Sequence, residues 1–595
     1  MIAELPQQIQ TLLAADPKQD AAFWAWVSEA HDAQVVAQAG ADHRLVRLKQ
    51  RFDFRGLEQA CVGYRLYQGR QGVEPTYALG QLCRGVVLRA VQQWSYAQLA
   101  KEVAANSLLR WFVGAGLQQP TFSATTLWRF EQWLKQHQPR LFFTELLHQI
   151  DEDFPAARTD VQCGDTFALL ARSRVQSRTQ LLRQASGKVL HYLAAVTASG
   201  YAQVMAQMAG ARLFAPPDET HEGWLDKAAR DALAERTALA AKRLLDAVAQ
   251  VQDGVLTSQD ACALACQRWL GILTKILTDA FTFGQDASGA WSQATVRTQH
   301  VKGSYVIGST VDPEASFRQH GDRSQLGYNI NVAATPQFIR EINAVTGATP
   351  DSQGVAPLVA HQLEHLGLTP PKLIYDRAAG SPKIFYAVNQ ASQGKTHLVA
   401  RLIDHSQHRQ HFGPGDFTLD EAGALTCPHG QTSHTAYRSG SGDGWNYRFS
   451  THQCEGCPLR QRCRGERPPD PPATDAGAAM ATAPAAPTPP QPRRPKADAY
   501  RQVFISDYRY WQRSALAYTK TAAFAREMRL RATIERTIAG LVRYNGARHA
   551  TGYGLVNADY QVRMAALAFN LKSWHKLTLD QQKPTKRRTP PPDTP

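Results

Sequence analysis

Three apolar residues, Leu373-Ile374-Tyr375, run straight into Asp376. The run is too short for a helix and reads as a buried strand that stops on a carboxylate. Val161-Gln162-Cys163-Gly164-Asp165 has the same form earlier in the chain. Two strands that each end on an aspartate restrict the chain to folds with a sheet, where loops at strand ends carry the chemistry. Far downstream, Arg531 and Glu535 stand one helical turn apart in a segment of good helix formers, which puts both on one face. Ile534, Ile538 and Leu541 would pack that helix onto the sheet.

The order of elements around these residues is α/β. Tyr328, Ile330 and Val332 alternate with Asn329 and Asn331, the period of a strand. Pro336-Gln337 supplies a turn, and residues 338–345 form the second strand of a hairpin. A helix over 351–366, a strand over 372–376, a helix over 382–388 and a strand over 397–403 follow. Helices over 521–544 and 559–575 close the chain. This order fits a ribonuclease-H-like sheet broken by insertions. Its catalytic domain would take residues 151–403 and 521–576. A helical insertion fills 172–300, where Cys262 and Cys266 read as core. Residues 1–150 form a helical N-terminal domain. In it, Ser123 is placed as the N-cap of a helix carrying Leu127, Phe130 and Leu134. As the second of two short helices separated by a turn, carrying Thr125, Thr126 and Arg129, it suits a helix-turn-helix-like DNA reader; a plain helical bundle with an aromatic core is the alternative.

Residues 404–465 interrupt the α/β order with a cysteine-rich insertion. Residues 466–498, made of Pro, Ala, Thr and Asp, cannot bury a core and read as a linker. Residues 577–595 read as a basic, Pro-rich tail expected to be disordered.

The net charge of +15 favours a polyanionic partner, most simply nucleic acid. Lys/Arg collect at the C-terminal end, with Arg543 and Arg548 where the proposed catalytic helix ends. No apolar run is long enough to span a membrane, and the first residues lack the pattern of a signal peptide, so a cytoplasmic protein is expected.

Asp165, Asp376 and Glu535 are the donors that two Mg²⁺ (or Mn²⁺) ions require, since these hard cations take carboxylate oxygens and keep waters. Asp160 competes with Asp165 for the first position. Arg531 would hold the glutamate or a DNA phosphate. Cys427, then Cys454-Glu455-Gly456-Cys457, then Cys463 make a zinc-ribbon-like set for a structural Zn²⁺, with His429, His434 and His452 as alternative ligands. Gly440-Ser441-Gly442-Asp443-Gly444 follows no strand and lacks a Lys-Ser/Thr pair, so it is a turn rather than a nucleotide loop.

On these residues the chain resembles the bacterial insertion-sequence DDE transposases. Gln93 to Leu99 and Phe122 to Phe130 are similar to the family's N-terminal helical domain. Val311-Asp312-Pro313-Glu314-Ala315 with Leu326 to Ala333 resembles its second strand and the approach to it. Thr349 to Gln353 resembles the stretch before its central helix. Ile374 to Ser381 matches its second catalytic aspartate, and Arg531-Ala532-Thr533-Ile534-Glu535 its arginine–glutamate signature. Met528 and Val542 stand where the family often has a tyrosine and a lysine. The resemblance implies strand cleavage and strand transfer of an insertion sequence. The partners it implies are double-stranded DNA, as terminal inverted repeats and target, and a second copy of the chain, on nucleoid DNA. Two other readings are a decayed transposase that binds DNA without cutting and a ribonuclease-H-like nuclease.

Overall fold

The computed structural model describes residues 17–64, 77–117, 119–209, 213, 222–251, 256, 259–299, 301, 305–320, 323–402, 411–464 and 500–582. The chain divides into two compact units, Met1–Leu373 with Leu530–Pro595, and Ile374–Arg529. It is mixed α/β. Among the described residues, no helix is long and apolar enough to cross a membrane.

The first unit begins with helices α1 (Pro17–Ala39), α2 (Arg44–Arg51), α3 (Arg55–Ala60), α4 (Leu79–Gln92), α5 (Tyr96–Ala105), α6 (Ser107–Val113), α7 (Ala124–His137) and α8 (Leu141–Asp153). Small polar residues start several of them. Ser95, Asn106 and Ser123 each accept a backbone N–H in the first turn. Leu82, Val86, Phe112, Phe130 and Leu146 from these helices share one apolar cluster with Phe338, Leu567 and Trp574 from distant parts of the sequence.

Strand β1 (Gln162–Leu170) opens the sheet. The segment after it holds α9 (Arg178–Val196), α10 (Ala198–Gln207), α11 (Lys227–Ala249) and α12 (Ala261–Ala280), with a core of their own. Cys266 is in that core and Cys262 is half-buried. The expected all-helical insertion instead ends in a hairpin, β2 (Phe281–Gln285) and β3 (Trp291–Val296). Its tight turn uses Gly289 at φ +82°, and Asp286 accepts backbone N–H groups from Ser288 and Ala290 across it.

Strands β4 (Ser316–His320), β5 (Arg323–Ala334) and β6 (Ile339–Thr346) complete the sheet of this unit; β1, β4 and β6 each pair antiparallel with β5. The 326–346 hairpin is present as expected. The alternation in β5 predicts one wet face, but Asn329 and Asn331 are buried as well. Asn329 donates to Asp351 (2.7 Å) and Asn331 to Asn343 (2.8 Å). A turn over Asp351–Gly354 and helix α13 (Val355–Leu366) follow in the expected place. Gly354 approaches Asn331 so closely that a Cβ would lie 1.9 Å from its Oδ1. Buried Arg340 of β6 forms a bidentate pair with Asp151 (2.6 and 2.9 Å), and Arg140 pairs with Glu341 at 2.9 Å.

Strand β7 (Lys372–Ile374) leads into the second unit, where Tyr375 N–H donates to Val399 O of β8 (His397–Val399). Helix α14 (Pro382–Ala391) lies between them in sequence. A three-stranded ribbon of β9 (Thr418–Leu419), β10 (Leu425–Thr426) and β11 (Thr432–Ser433) follows. A second sheet joins β12 (Ala436–Arg438), β13 (Gly444–Ser450) and β14 (Tyr500–Ser506). Short helix α15 (Arg460–Arg464) precedes β14, and α16 (Arg509–Thr519) and α17 (Ala522–Leu530) follow it. The expected linker at 466–498 lies outside the described residues. Because β14 pairs with β13 over seven residues, the cysteine-bearing module uses chain from both sides of that segment.

The single helix expected over 521–544 is two, α17 and α18 (Ala532–Tyr544), with Arg531 between them. Helix formers run through the junction, so propensity alone gives no sign of the break. Thr533 Oγ1 donates to Leu530 O (2.7 Å) there. Helix α19 (Leu555–Gln582) is longer than expected and takes up the start of the expected tail. The reason is packing: Leu577 lies against the first unit's core and Thr578 is buried. Residues 583–595 of the expected tail lie outside the described residues.

Candidate active site and cysteine cavity

Asp165 does not end its strand. It is the fourth residue of β1, opposite Val332 of β5, and the strand continues through Phe167 and Leu169, both buried. The expected stop at Asp165 is thus corrected: eight consecutive pairs with β5 hold the backbone extended to Leu170. Cys163 and Asp165 share one face of β1, as alternate residues must. Cys163 Sγ donates to Leu530 O at 3.4 Å, and burial pushes its thiol pKa up.

Helix α18 packs on β1 through buried Ile534, Thr537 and Leu541. That packing sets Arg531 over the strand. Arg531 Nη2 lies 3.1 Å from Asp165 Oδ2, and Nη1 lies 3.4 Å from Glu535 Oε1. One guanidinium therefore bridges two carboxylates from elements far apart in sequence. Asp165 is 17% exposed and Glu535 62%, so the cluster opens to solvent on the helix side. Of the two aspartates in competition, Asp165 is the one on the guanidinium; Asp160 Oδ1 accepts from Val161 N–H.

Asp376 belongs to the second unit, just beyond β7. It caps a short 3₁₀ turn over Arg377–Ala379, its Oδ1 accepting from Ala378 N–H at 2.9 Å. Among the described residues, no group of three or more His, Cys, Asp or Glu side chains is gathered tightly enough to hold a metal ion. The structure thus brings Asp165, Arg531 and Glu535 together within the first unit. A guanidinium occupies the space between the carboxylates where a cation would balance them.

The residues expected to contact DNA are all exposed. Arg129 lies on α7, Arg543 in the last turn of α18, and Arg548 in the loop that follows. That loop is fixed to the sheet, with Leu170 N–H donating to Arg548 O and Ala550 N–H to Leu170 O.

The four clustered cysteines line one cavity of about 30 Å³. Cys427 stands in the turn after β10, Cys454 ends a 3₁₀ turn, Cys457 follows it, and Cys463 is on α15. All four are free thiols and half-buried. Burial raises the Cys454 pKa; Arg464 opposes this, and Cys427 and Cys457 add to it. Of the alternative histidines, His429 lines the cavity; His434 is exposed, and His452 is exposed and paired with Glu455. The donor types and their number suit Zn²⁺, though the thiols are not drawn to a common point.

Sequence reasoning missed the role of Asp312 and Glu314. Buried Asp312 accepts from Tyr328 Oη (2.6 and 2.7 Å) and from Gly554 N–H, while Glu314 accepts from Leu555 N–H (2.7 Å). Both carboxylates thereby hold the N-terminus of α19, where orphan donors and the helix dipole favour negative charge. The Asp-Pro-Glu spacing was visible, but its partners lie too far along the chain to read from sequence.

The family Transposase DDE domain matches residues 426–575, and the family Transposase domain (DUF772) matches residues 34–133. The first match contains the four cysteines, Arg531 and Glu535; the second contains Arg129. No curated protein and no solved structure matches the chain significantly.

Proposed function

We propose, from the premise that this chain is an insertion-sequence DDE transposase, that it cuts a DNA strand at the element's end and joins the freed 3′-hydroxyl to target DNA. The observation that carries this reading is the bridge from Asp165 through Arg531 to Glu535. Asp165, Arg531 and Glu535, three of the four residues expected for one reaction, meet at one place although Asp165 is far from the other two in the chain.

The family generally works with a divalent cation such as Mg²⁺, which stabilises the charge on the attacking and leaving oxygens of an in-line displacement at phosphorus. Asp165, Glu535 and Asp376 would hold it on a ribonuclease-H-like core, hard oxygen donors for a hard cation. Arg531 pairs with the first two and offsets their charge. Guanidinium donors match phosphate oxygens in geometry, so the same side chain would orient the scissile strand. Arg129, Arg543 and Arg548 would bind backbone phosphates, and Cys427, Cys454, Cys457 and Cys463 would hold a structural Zn²⁺. A second copy of the chain would take the other DNA end, since transfer needs two ends together. The setting would be the cytoplasm.

The test is cleavage of supercoiled DNA bearing the element's ends, in Mg²⁺ or Mn²⁺, by wild type, Asp165→Asn, Asp376→Asn and Glu535→Gln. Metal-dependent nicking that disappears in all three variants, with DNA binding kept, supports the reading. Joining of the cut end separates a transposase from a plain nuclease. A second reading, a protein that binds DNA and no longer cuts, is favoured by Met528 and Val542 at two signature positions. It predicts tight binding and no nicking by wild type in either metal.

A further inference from the structure

The largest cavity described in the first unit is a groove of about 800 Å³, bounded by the α4–α5 turn, α7, the loop 545–553 and α19. Its size is within the range of small-ligand sites, about 300–1,000 Å³. Trp94, Trp128, Tyr553 and Tyr560 line it, with Lys135 and Arg172 among them. Trp128 is 47% exposed and Tyr553 42%. The Arg172 guanidinium lies 5.7 Å from the Tyr553 ring and Lys135 Nζ 5.4 Å from the Tyr560 ring. Glu131, behind the groove wall, is fully buried and held by Arg89 at 2.5 and 2.6 Å. Among the described residues no carboxylate lines the groove, so it presents positive charge between aromatic faces.

Tyr560 is 3% exposed, so the groove meets its ring while its hydroxyl lies in the core beneath. Aromatic faces and cations together describe a nucleotide: a flat base to stack and a phosphate to pair. In a paired duplex the base faces are stacked on one another and cannot offer themselves to tryptophan.

We infer that this groove binds unpaired nucleotides of a DNA strand, stacking bases on Trp128 and Tyr553 and pairing a phosphate with Arg172. This rests on the reading of the chain as a DNA-processing enzyme, and adds a strand-opening contact away from the Asp165–Glu535 cluster.

The experiment measures binding of fluorescent oligo-dT and of a blunt duplex of equal length to the full chain, by anisotropy with chelator present so that nothing is cut. Trp128→Ala/Tyr553→Ala removes two exposed rings and leaves the core intact. It is expected to weaken oligo-dT binding about tenfold or more, with duplex binding within about twofold of wild type. Equal losses for both DNA forms, or no loss for oligo-dT, overturn the inference. A wild type that binds duplex but not oligo-dT overturns the groove alone. A wild type that binds neither overturns the transposase reading with it.

Discussion

The unit that carries Asp165 is held by a deep apolar core, by buried ion pairs such as Arg340–Asp151, and by a strand, the one bearing Asp165, paired along its length. Around Cys454 the apolar core consists of Phe417, Leu425, Tyr447, Phe449, Val503 and Ile505, and two-residue strands carry much of the sheet. A module with so little to bury rarely stands on hydrophobic burial alone. On the proposed function, the carboxylates of the first unit would serve chemistry on a scaffold stabilised by other groups, whereas the thiols of the second unit would supply, through a bound Zn²⁺, stability that its small core lacks. The contrast to test is between clusters of metal-binding residue types that would serve opposite ends.

The strongest test of that contrast is metal removal. The chain as purified is expected to contain one Zn²⁺ per copy by elemental analysis. Chelation, or Cys454→Ser/Cys457→Ser, should unfold the cysteine module, a loss of about 10 kcal/mol by the scale of structural zinc. Limited proteolysis should then cut between Cys427 and Cys463 while the first unit stays intact. Zinc-free protein with an intact module would erase the contrast.

Next in size is the carboxylate cluster. Asp165→Asn should lower the cleavage rate about ten-thousandfold, or about 5.5 kcal/mol in barrier. The same substitution should leave the thermal midpoint nearly unchanged, because half-buried Arg531 keeps Glu535 as a partner. If midpoint and rate fell together, Asp165 would be structural.

What could be read from the sequence follows the same division. The hairpin at 326–346, the helix at 351–366 and the Arg531–Glu535 pair were legible because each is a local pattern of period or spacing. The continuation of β1 past Asp165 was not, since it is imposed by β5, whose register lies far along the chain. The break at Arg531 was hidden for a similar reason: α18 begins where packing on β1 dictates, and every residue at the junction is a fair helix former. The four cysteines were legible as neighbours, but that His429 alone of the three histidines lies beside their cavity depends on a turn that spacing does not reveal.

A third prediction concerns how the first unit seals its polar groups. Asp151→Ala leaves the Arg340 guanidinium buried, 1% exposed, with its partner gone. That should cost about 3–5 kcal/mol, read from denaturant midpoints of the full chain. The double change Asp151→Leu/Arg340→Met should recover most of the loss, which would show that the pair serves fit rather than strength.

The smallest expected effect sharpens the contrast by pH. Lys49 donates to Trp111 O, its ammonium 4.2 Å from the Trp111 ring centroid. Burial, with Arg84 beside it, lowers its pKa from 10.5 to about 8. Folded protein then releases this proton near pH 8, while the unfolded chain holds it to about 10.5. Between those values the unfolded state binds more protons, so this lysine makes the first unit more stable as pH rises through the window. Below pH 8 the buried charge is a standing cost. Because the site is only partly shielded from water, the rise should be about 1–2 kcal/mol rather than the full shift. Lys49→Met should flatten the profile across that window and raise stability at neutral pH. The cysteine module, followed by its own proteolytic signal, should not respond to that substitution. A Lys49→Met profile that keeps the wild-type slope would assign the titration to another group.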